Sequence, residues 1–188
     1  MIIGFESMDI RVLDSSEPTP DTNVFQVKGS AGKGGTMKAD ITGLSSDITK
    51  TFASNIVYHT NAKGVGDLSV GLETVDVPFT VLNSILGRKK VNGLTSIGVD
   101  TEAPLCAVAL WAHDGAGQKI GIGFYKGRFA MEAINIETKG KDNKELPSEK
   151  LTFVPQASDE EETAGQYISF ATTDEEATKL KKALKISA

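Results

Sequence analysis

Over most of this chain the apolar residues recur at every second position, and that period leaves few architectures open. From Asp67 to Thr74, Leu68, Val70 and Leu72 fall on one face while Asp67, Ser69 and Glu73 fall on the other. From Thr51 to Thr60 the same spacing groups Phe52, Ile56 and Tyr58. Successive side chains of an extended backbone point to opposite faces, so this alternation marks half-buried β-strands. Between the two segments lies Asn61-Ala-Lys-Gly-Val-Gly66, whose glycines take positive φ without steric penalty. The two segments are therefore expected to pair as a β-hairpin.

Further strands follow by the same reading. Leu105 to Ala112 is apolar on both faces, as a central strand must be. Asp114-Gly-Ala-Gly117 turns the chain into Lys119 to Tyr125, giving a second expected hairpin. Arg128 to Thr138 carries apolar residues on both parities, which implies a strand that bends or bulges midway. Strands are also expected near Asn23 to Lys28, Lys38 to Thr42, Lys150 to Val154 and Gln166 to Ala171. Gly29 to Gly35 and Gly140 to Glu149 break the pattern and read as mobile loops, and Asp159 to Glu162 as an acidic one. Gly121 and Gly123 stand inside a strand pattern, where glycine marks a bulge or a close approach of another group.

Two segments depart from the strand period. Over 76–86, Val77, Val81 and Ile85 are four apart, Pro78 sits in the first turn and Gly87 is placed as a C-terminal cap, which predicts a short helix. Over 174–185, Ala177, Leu180 and Leu184 line one side. Thr173-Asp-Glu-Glu176 ahead of them is a capping box, acids fill the first turn and lysines the last. The expected fold is mainly β, a sandwich or barrel-like sheet with a flanking helix and a C-terminal helix. At 188 residues it is expected as a single domain spanning 1–188.

Composition excludes several functions. Twenty Lys and Arg against twenty-five Asp and Glu give a net charge of −5, the wrong sign for a general nucleic-acid binder. One cysteine, Cys106, cannot form an intrachain disulfide, and two histidines, His59 and His113, leave little for a metal site. Gly29-Ser-Ala-Gly-Lys33-Gly-Gly-Thr36 looks like a phosphate loop, but the spacing is short and a glycine follows the lysine. Gly121-Ile-Gly123 does not open a helix, so a dinucleotide fingerprint fails. No Gly-x-Ser-x-Gly, His-Glu-x-x-His or Cys-x-x-Cys is present. The expectation is a protein with no catalytic residues, no metal and no cofactor. The longest apolar run, Leu105 to Ala112, is too short for the roughly 20 residues that span a bilayer, so no membrane partner is expected. No basic region precedes the apolar stretch of Met1 to Ser7, which points to synthesis in the cytoplasm.

The order of elements then carries a resemblance. Thr51-Phe-Ala-Ser-Asn-Ile-Val-Tyr58, a glycine-bearing turn, Asp67 to Glu73 and Val77 to Gly87 form one block. Val108-Ala-Leu-Trp111, Phe124-Tyr-Lys-Gly-Arg-Phe129, Ile134 to Thr138 and Leu151-Thr-Phe-Val-Pro155 form a second. Together they resemble the major tail proteins, or tail tube proteins, of long-tailed non-contractile bacteriophages, especially those of Gram-positive hosts. The likeness implies a structural subunit of the virion, made in the host cytoplasm, that closes into six-membered rings and stacks into a conduit for DNA ejection. It implies self-association, contacts with tape measure, distal tail and terminator proteins, and DNA passing through the bore without specific binding. On this reading Phe52, Ile56, Tyr58, Leu68, Val70 and Leu72 belong to an inner sheet at the subunit interface. The loops bearing Gly29, Lys33, Gly35, Lys141 and Lys144 would meet the next ring. Other readings are a carbohydrate- or protein-binding sandwich and the tube protein of a contractile injection device.

Overall fold

A computed structural model describes residues 2–136 and 148–187 of the chain. Its strands are β1 (Ile2–Val12), β2 (Val24–Lys28), β3 (Gly35–Thr42), β4 (Thr49–Ala53), β5 (Ile56–Asn61), β6 (Ser69–Val75), β7 (Lys89–Val91), β8 (Leu94–Ser96), β9 (Cys106–Asp114), β10 (Lys119–Ala130), β11 (Glu149–Gln156) and β12 (Ile168–Ala171). Two helices accompany them, α1 (Phe79–Ile85) and α2 (Asp174–Ala183). The mainly β expectation holds. Eight strands form one antiparallel sheet in the order β2-β1-β9-β10-β11-β6-β3, with β12 branching from β10.

The sheet curls until β3 comes back towards β1, where the Thr36 hydroxyl donates to the Phe5 carbonyl at 3.0 Å. What drives the curl is alternation. Met8 and Ile10 of β1, Val108 and Leu110 of β9, Phe124 and Phe129 of β10, Val70 and Leu72 of β6, and Leu151 and Phe153 of β11 all turn into one core. Val81, Leu82 and Ile85 of α1 fill that core too, so the helix plugs the barrel-like space inside the sheet. Gly87, at φ +66°, follows the helix in the left-handed conformation its sequence position predicts. Cys106 lies in this core, and burial pushes its thiol up to about 12, which makes it an inert apolar filler.

Three strand assignments change. Thr51 to Thr60 is not one strand, because Ser54 and Asn55 both take positive φ, at 52° and 64°, and reverse the chain between β4 and β5. Asp67 to Thr74 consequently pairs not with that segment but with β3 on one side and β11 on the other. The strand expected over Arg128 to Thr138 is also absent, since residues 128–130 end a twelve-residue β10 and residues 131–136 are not strand. The anticipated irregularity sits earlier, between Phe124 and Gly127, where β10 leaves β12 and joins β11. β1 and the short β7–β8 hairpin were not anticipated.

The outer face of the sheet carries a second, smaller cluster: Ala107, Ala109, Trp111 and Ala171 beneath Leu180 and Leu184 of α2. Here the strand glycines are explained by close approach. A Cβ on Gly123 would stand 2.6 Å from Leu180 Cδ1, and one on Gly121 would stand 2.5 Å from Trp111 Cζ3. Real side chains do not pack so closely, so glycine alone lets helix and indole seat on β10. At ten residues α2 is too short to hold its shape unaided, and docking and capping sustain it. The Thr173 hydroxyl accepts from the Glu176 N–H at 3.2 Å, and Glu176 turns back to accept from the Thr172 N–H at 2.7 Å.

That bond holds the Glu176 carboxyl below the usual glutamate range. A depressed folded pKa contributes stability above the unfolded value, and the contribution is lost as pH falls through the folded value. We expect Thr173→Ala to cost about 1 kcal/mol, or about 2–4 °C in Tm for a chain of this size. Calorimetry checks it, and a loss seen at neutral pH that vanishes in acid would point to Glu176 instead of the cap.

Candidate assembly surface

Among the exposed apolar residues, Leu44, Ile48, Phe52, Ile56, Val57 and Tyr58 share one projecting element. β3 and β6 form a two-stranded ribbon whose last ladder pair inside the sheet is Thr42 with Ser69. Beyond it the chain runs outward, and β4 and β5 build a separate hairpin from Thr49 with Asn61 to Ala53 with Ile56. The Ser54–Asn55 turn has positive φ at both central positions, the type I′ geometry that matches strand twist. We refer to residues 44–65 as the arm.

Every residue of β4 and β5 is exposed. Phe52 is 65% exposed, Ile56 63% and Tyr58 76%, with Ile48 and Val57 beside them. The register pairs Phe52 with Val57, so these two share one face of the hairpin while Ile56 and Tyr58 lie on the other, not on one face as the spacing of a single strand implied. An isolated two-stranded hairpin is at best marginally stable, and one exposing apolar side chains on both faces marks a site of association. Full burial of a large apolar side chain contributes about 1.5–3 kcal/mol, so these three together offer roughly 5–9 kcal/mol before the entropic cost of ordering is subtracted.

The arm is joined to the sheet through a narrow neck. The Gly66 N–H donates to the Gly43 carbonyl at 3.0 Å, the Ser46 N–H to the Gly64 carbonyl at 3.3 Å and the Ser46 hydroxyl to the Lys63 carbonyl at 2.9 Å. Leu68, Val70 and Leu72 lie on the body side of the neck and are buried in the core. The six residues grouped from the sequence thus fall into two sets, an exposed tip and a buried root. β6 has ladder partners on both sides, so its backbone has no free edge to offer a neighbour.

The glycine-rich loop is tied down. Lys33 pairs with Asp21 at 2.9 Å, its N–H donates to the Ser30 carbonyl at 3.0 Å, and Ser30 and Gly34 form an isolated bridge. Gly29 precedes that turn, and Gly35 already belongs to β3. Lys141 and Lys144, and most of the loop over 140–149, lie outside the described residues. In the acidic loop Asp159 pairs with Lys126 and Glu160 with Lys185, each at 2.6 Å. A second exposed hairpin, β7–β8, carries Val91 and Leu94 around Asn92-Gly93, both at positive φ. Asn-Gly between apolar residues is the strongest short hairpin signal, and it was available in the sequence.

Among the described residues no group of three or more His, Cys, Asp or Glu is placed to hold a metal, and no helix is long and apolar enough to cross a membrane. What the surface offers is apolar area and strand edges. A family model described as phage tail tube protein matches residues 10–185, from β1 through the end of α2 and across the whole arm. The chain belongs to the phage tail tube protein family. Comparison with curated proteins gives no match. As a tail tube protein it is a structural component of the virion tail, and it assembles with copies of itself and with other tail proteins.

Proposed function

We propose that six copies of this tail tube subunit close into a ring, and that rings stack into the tube of a long-tailed, non-contractile phage of a Gram-positive host. The observation that carries this reading is the arm, an apolar hairpin left exposed by the described residues of its own subunit. Phe52, Ile56 and Tyr58 at the tip contact a second copy, and Leu68, Val70 and Leu72 anchor its root in the core. Contacts between unlike surfaces form rings when the rotation closes, and they build filaments when the operation repeats along an axis. The sheet ends in β2 and β3, and pairing or covering such edges removes an association hazard. The loop over 29–35 faces the adjoining ring. Tape measure, distal tail and terminator proteins are the further partners, and each chain contributes one tube-forming domain.

The tube conducts DNA at ejection. Six copies at −5 each carry −30, and part of that charge lines the bore. A basic lining would retain DNA through counterion release, whereas an acidic one repels phosphates over about 8 Å at physiological salt. Electron microscopy of concentrated protein tests the assembly, with tubes of uniform bore and sixfold cross-sections expected. Monodisperse particles with no rings at any concentration would reject it. Duplex DNA titrated against the tubes across a salt series tests the conduit, and tight binding that weakens steeply with salt would reject the acidic lining.

A further inference from the structure

We infer that Gly43 and Gly66 are positioning residues for assembly: they set the direction in which the arm leaves the subunit, and they are dispensable for folding of the body. The inference rests on the arm being the contact between copies.

Three observations point to it. First, among the described residues the neck is what orients the arm. The ladder of the body stops at Thr42 with Ser69, the ladder of the arm starts at Thr49 with Asn61, and every residue of β4 and β5 is exposed. The backbone bond from Gly66 to Gly43 and the two bonds of Ser46 are what tie the strands between.

Second, the neck strands cross too closely for any side chain. A Cβ on Gly66 would stand 2.7 Å from the Ser45 carbonyl oxygen. A Cβ on Gly43 would collide with the carbonyl of Asp67, and Gly43 also holds φ +77°, which L residues rarely adopt. All of these obstacles are backbone, so a methyl group at either position must push the two strands apart.

Third, the arm is a lever. Eleven residue steps lead from Gly43 to Ser54 in the turn, so the tip reaches at most about 36 Å beyond the neck, of which the five residues of β4 supply about 17 Å. A tilt of about 15° at the neck then moves the tip by roughly 4–9 Å, more than the width of a side-chain contact. Small changes at the neck are therefore large changes at the interface. The core, by contrast, lies on the body side of Thr42 and Ser69 apart from Leu68 at its margin.

The test is Gly66→Ala beside a tip variant, Phe52→Ser/Ile56→Ser/Tyr58→Ser, in the full chain. Each is followed by thermal melting and by the protein concentration at which tubes first appear by light scattering and microscopy. Gly66→Ala is expected to melt within a few degrees of the parent and to need at least tenfold more protein to form tubes. A second variant keeps every native side chain and inserts Gly-Gly after both Gly43 and Gly66, which frees the direction of the arm. It is expected to fold and to show the same assembly defect. Normal assembly of Gly66→Ala or of the lengthened neck, with the tip variant defective, overturns the inference and leaves the arm contact standing. Normal assembly of the tip variant overturns the arm contact itself. Loss of the melting transition in Gly66→Ala assigns the glycine to the fold and overturns the inference as well.

Discussion

Replacing Phe52, Ile56 and Tyr58 together by serine should leave a folded subunit that no longer forms tubes. Each of the three is more than 60% exposed, and none touches the core, so the body loses no packing when they shrink. Surface substitutions of this kind usually change stability by no more than about 0.5 kcal/mol apiece. The effect on assembly is of another size. Removing roughly 5–9 kcal/mol of available apolar burial per contact takes away most of what a standard association has to offer. In the proposed ring that loss recurs at every interface. The parent and the variant should therefore share a melting temperature within a few degrees and differ in sedimentation, one as assemblies and the other as single subunits. Normal tubes from the triple variant would show that the tip makes no essential contact. The conservative set Phe52→Leu/Ile56→Val/Tyr58→Phe keeps the apolar character and should retain assembly, which separates burial from any particular side-chain shape.

How far the sequence leads depends on whether a signal is local. The strand period at Asp67 to Thr74, the proline and glycine bracketing α1, and the capping box before α2 each follow from residues near to one another, and all three elements are where the spacing puts them. Strand pairing is not local. Asn61 to Gly66 has the composition of a hairpin loop, but the tighter reversal lies at Ser54-Asn55, a pair that carries no glycine to advertise positive φ. Once that turn is set, β6 is released to join β3 and β11, and half of the residues grouped as interface become core. Alternation alone could not separate these cases, because a strand facing a partner subunit and a strand facing its own core show the same period. The glycines tell the opposite story. Gly121 and Gly123 announced a close approach without saying of what, and the answer is an indole and a helix contributed by residues up to 61 positions away. Asn92-Gly93 was a local signal that went unread, and it forms the β7–β8 hairpin.

The largest effect on stability should come from Trp111→Ala. The indole is 1% exposed, between the outer face of the sheet and α2, and Gly121 is the residue that leaves room for it. Its Nε1–H donates to Asp9 Oδ2 at 2.8 Å, and Gln26 Nε2 donates to the other oxygen, Oδ1, at 2.8 Å. Lys119 and Lys181 each place their ammonium 5.1 Å from the ring centroid, and Lys181 also stands 4.0 Å from the Asp9 carboxylate. Truncation thus removes the packing under α2, a bond to a buried carboxylate and the platform for two cations. Large-to-small changes at buried aromatic sites cost about 3–5 kcal/mol, and stranding the Asp9 oxygen adds about 1–3 kcal/mol. Against a total stability of about 5–15 kcal/mol, the variant should melt at least 6 °C lower, since each kcal/mol moves Tm by about 2–4 °C at this length. Limited proteolysis should cut within α2 first, because Leu180 and Leu184 lose the surface they rest on. Trp111→Phe divides the two contributions. It keeps an aromatic ring above Gly121 but has no N–H, so it should lose about 1–3 kcal/mol if the bond to Asp9 matters. Parental stability in Trp111→Phe would assign the whole effect to packing. Parental stability in Trp111→Ala would mean that α2 is not held by this cluster at all.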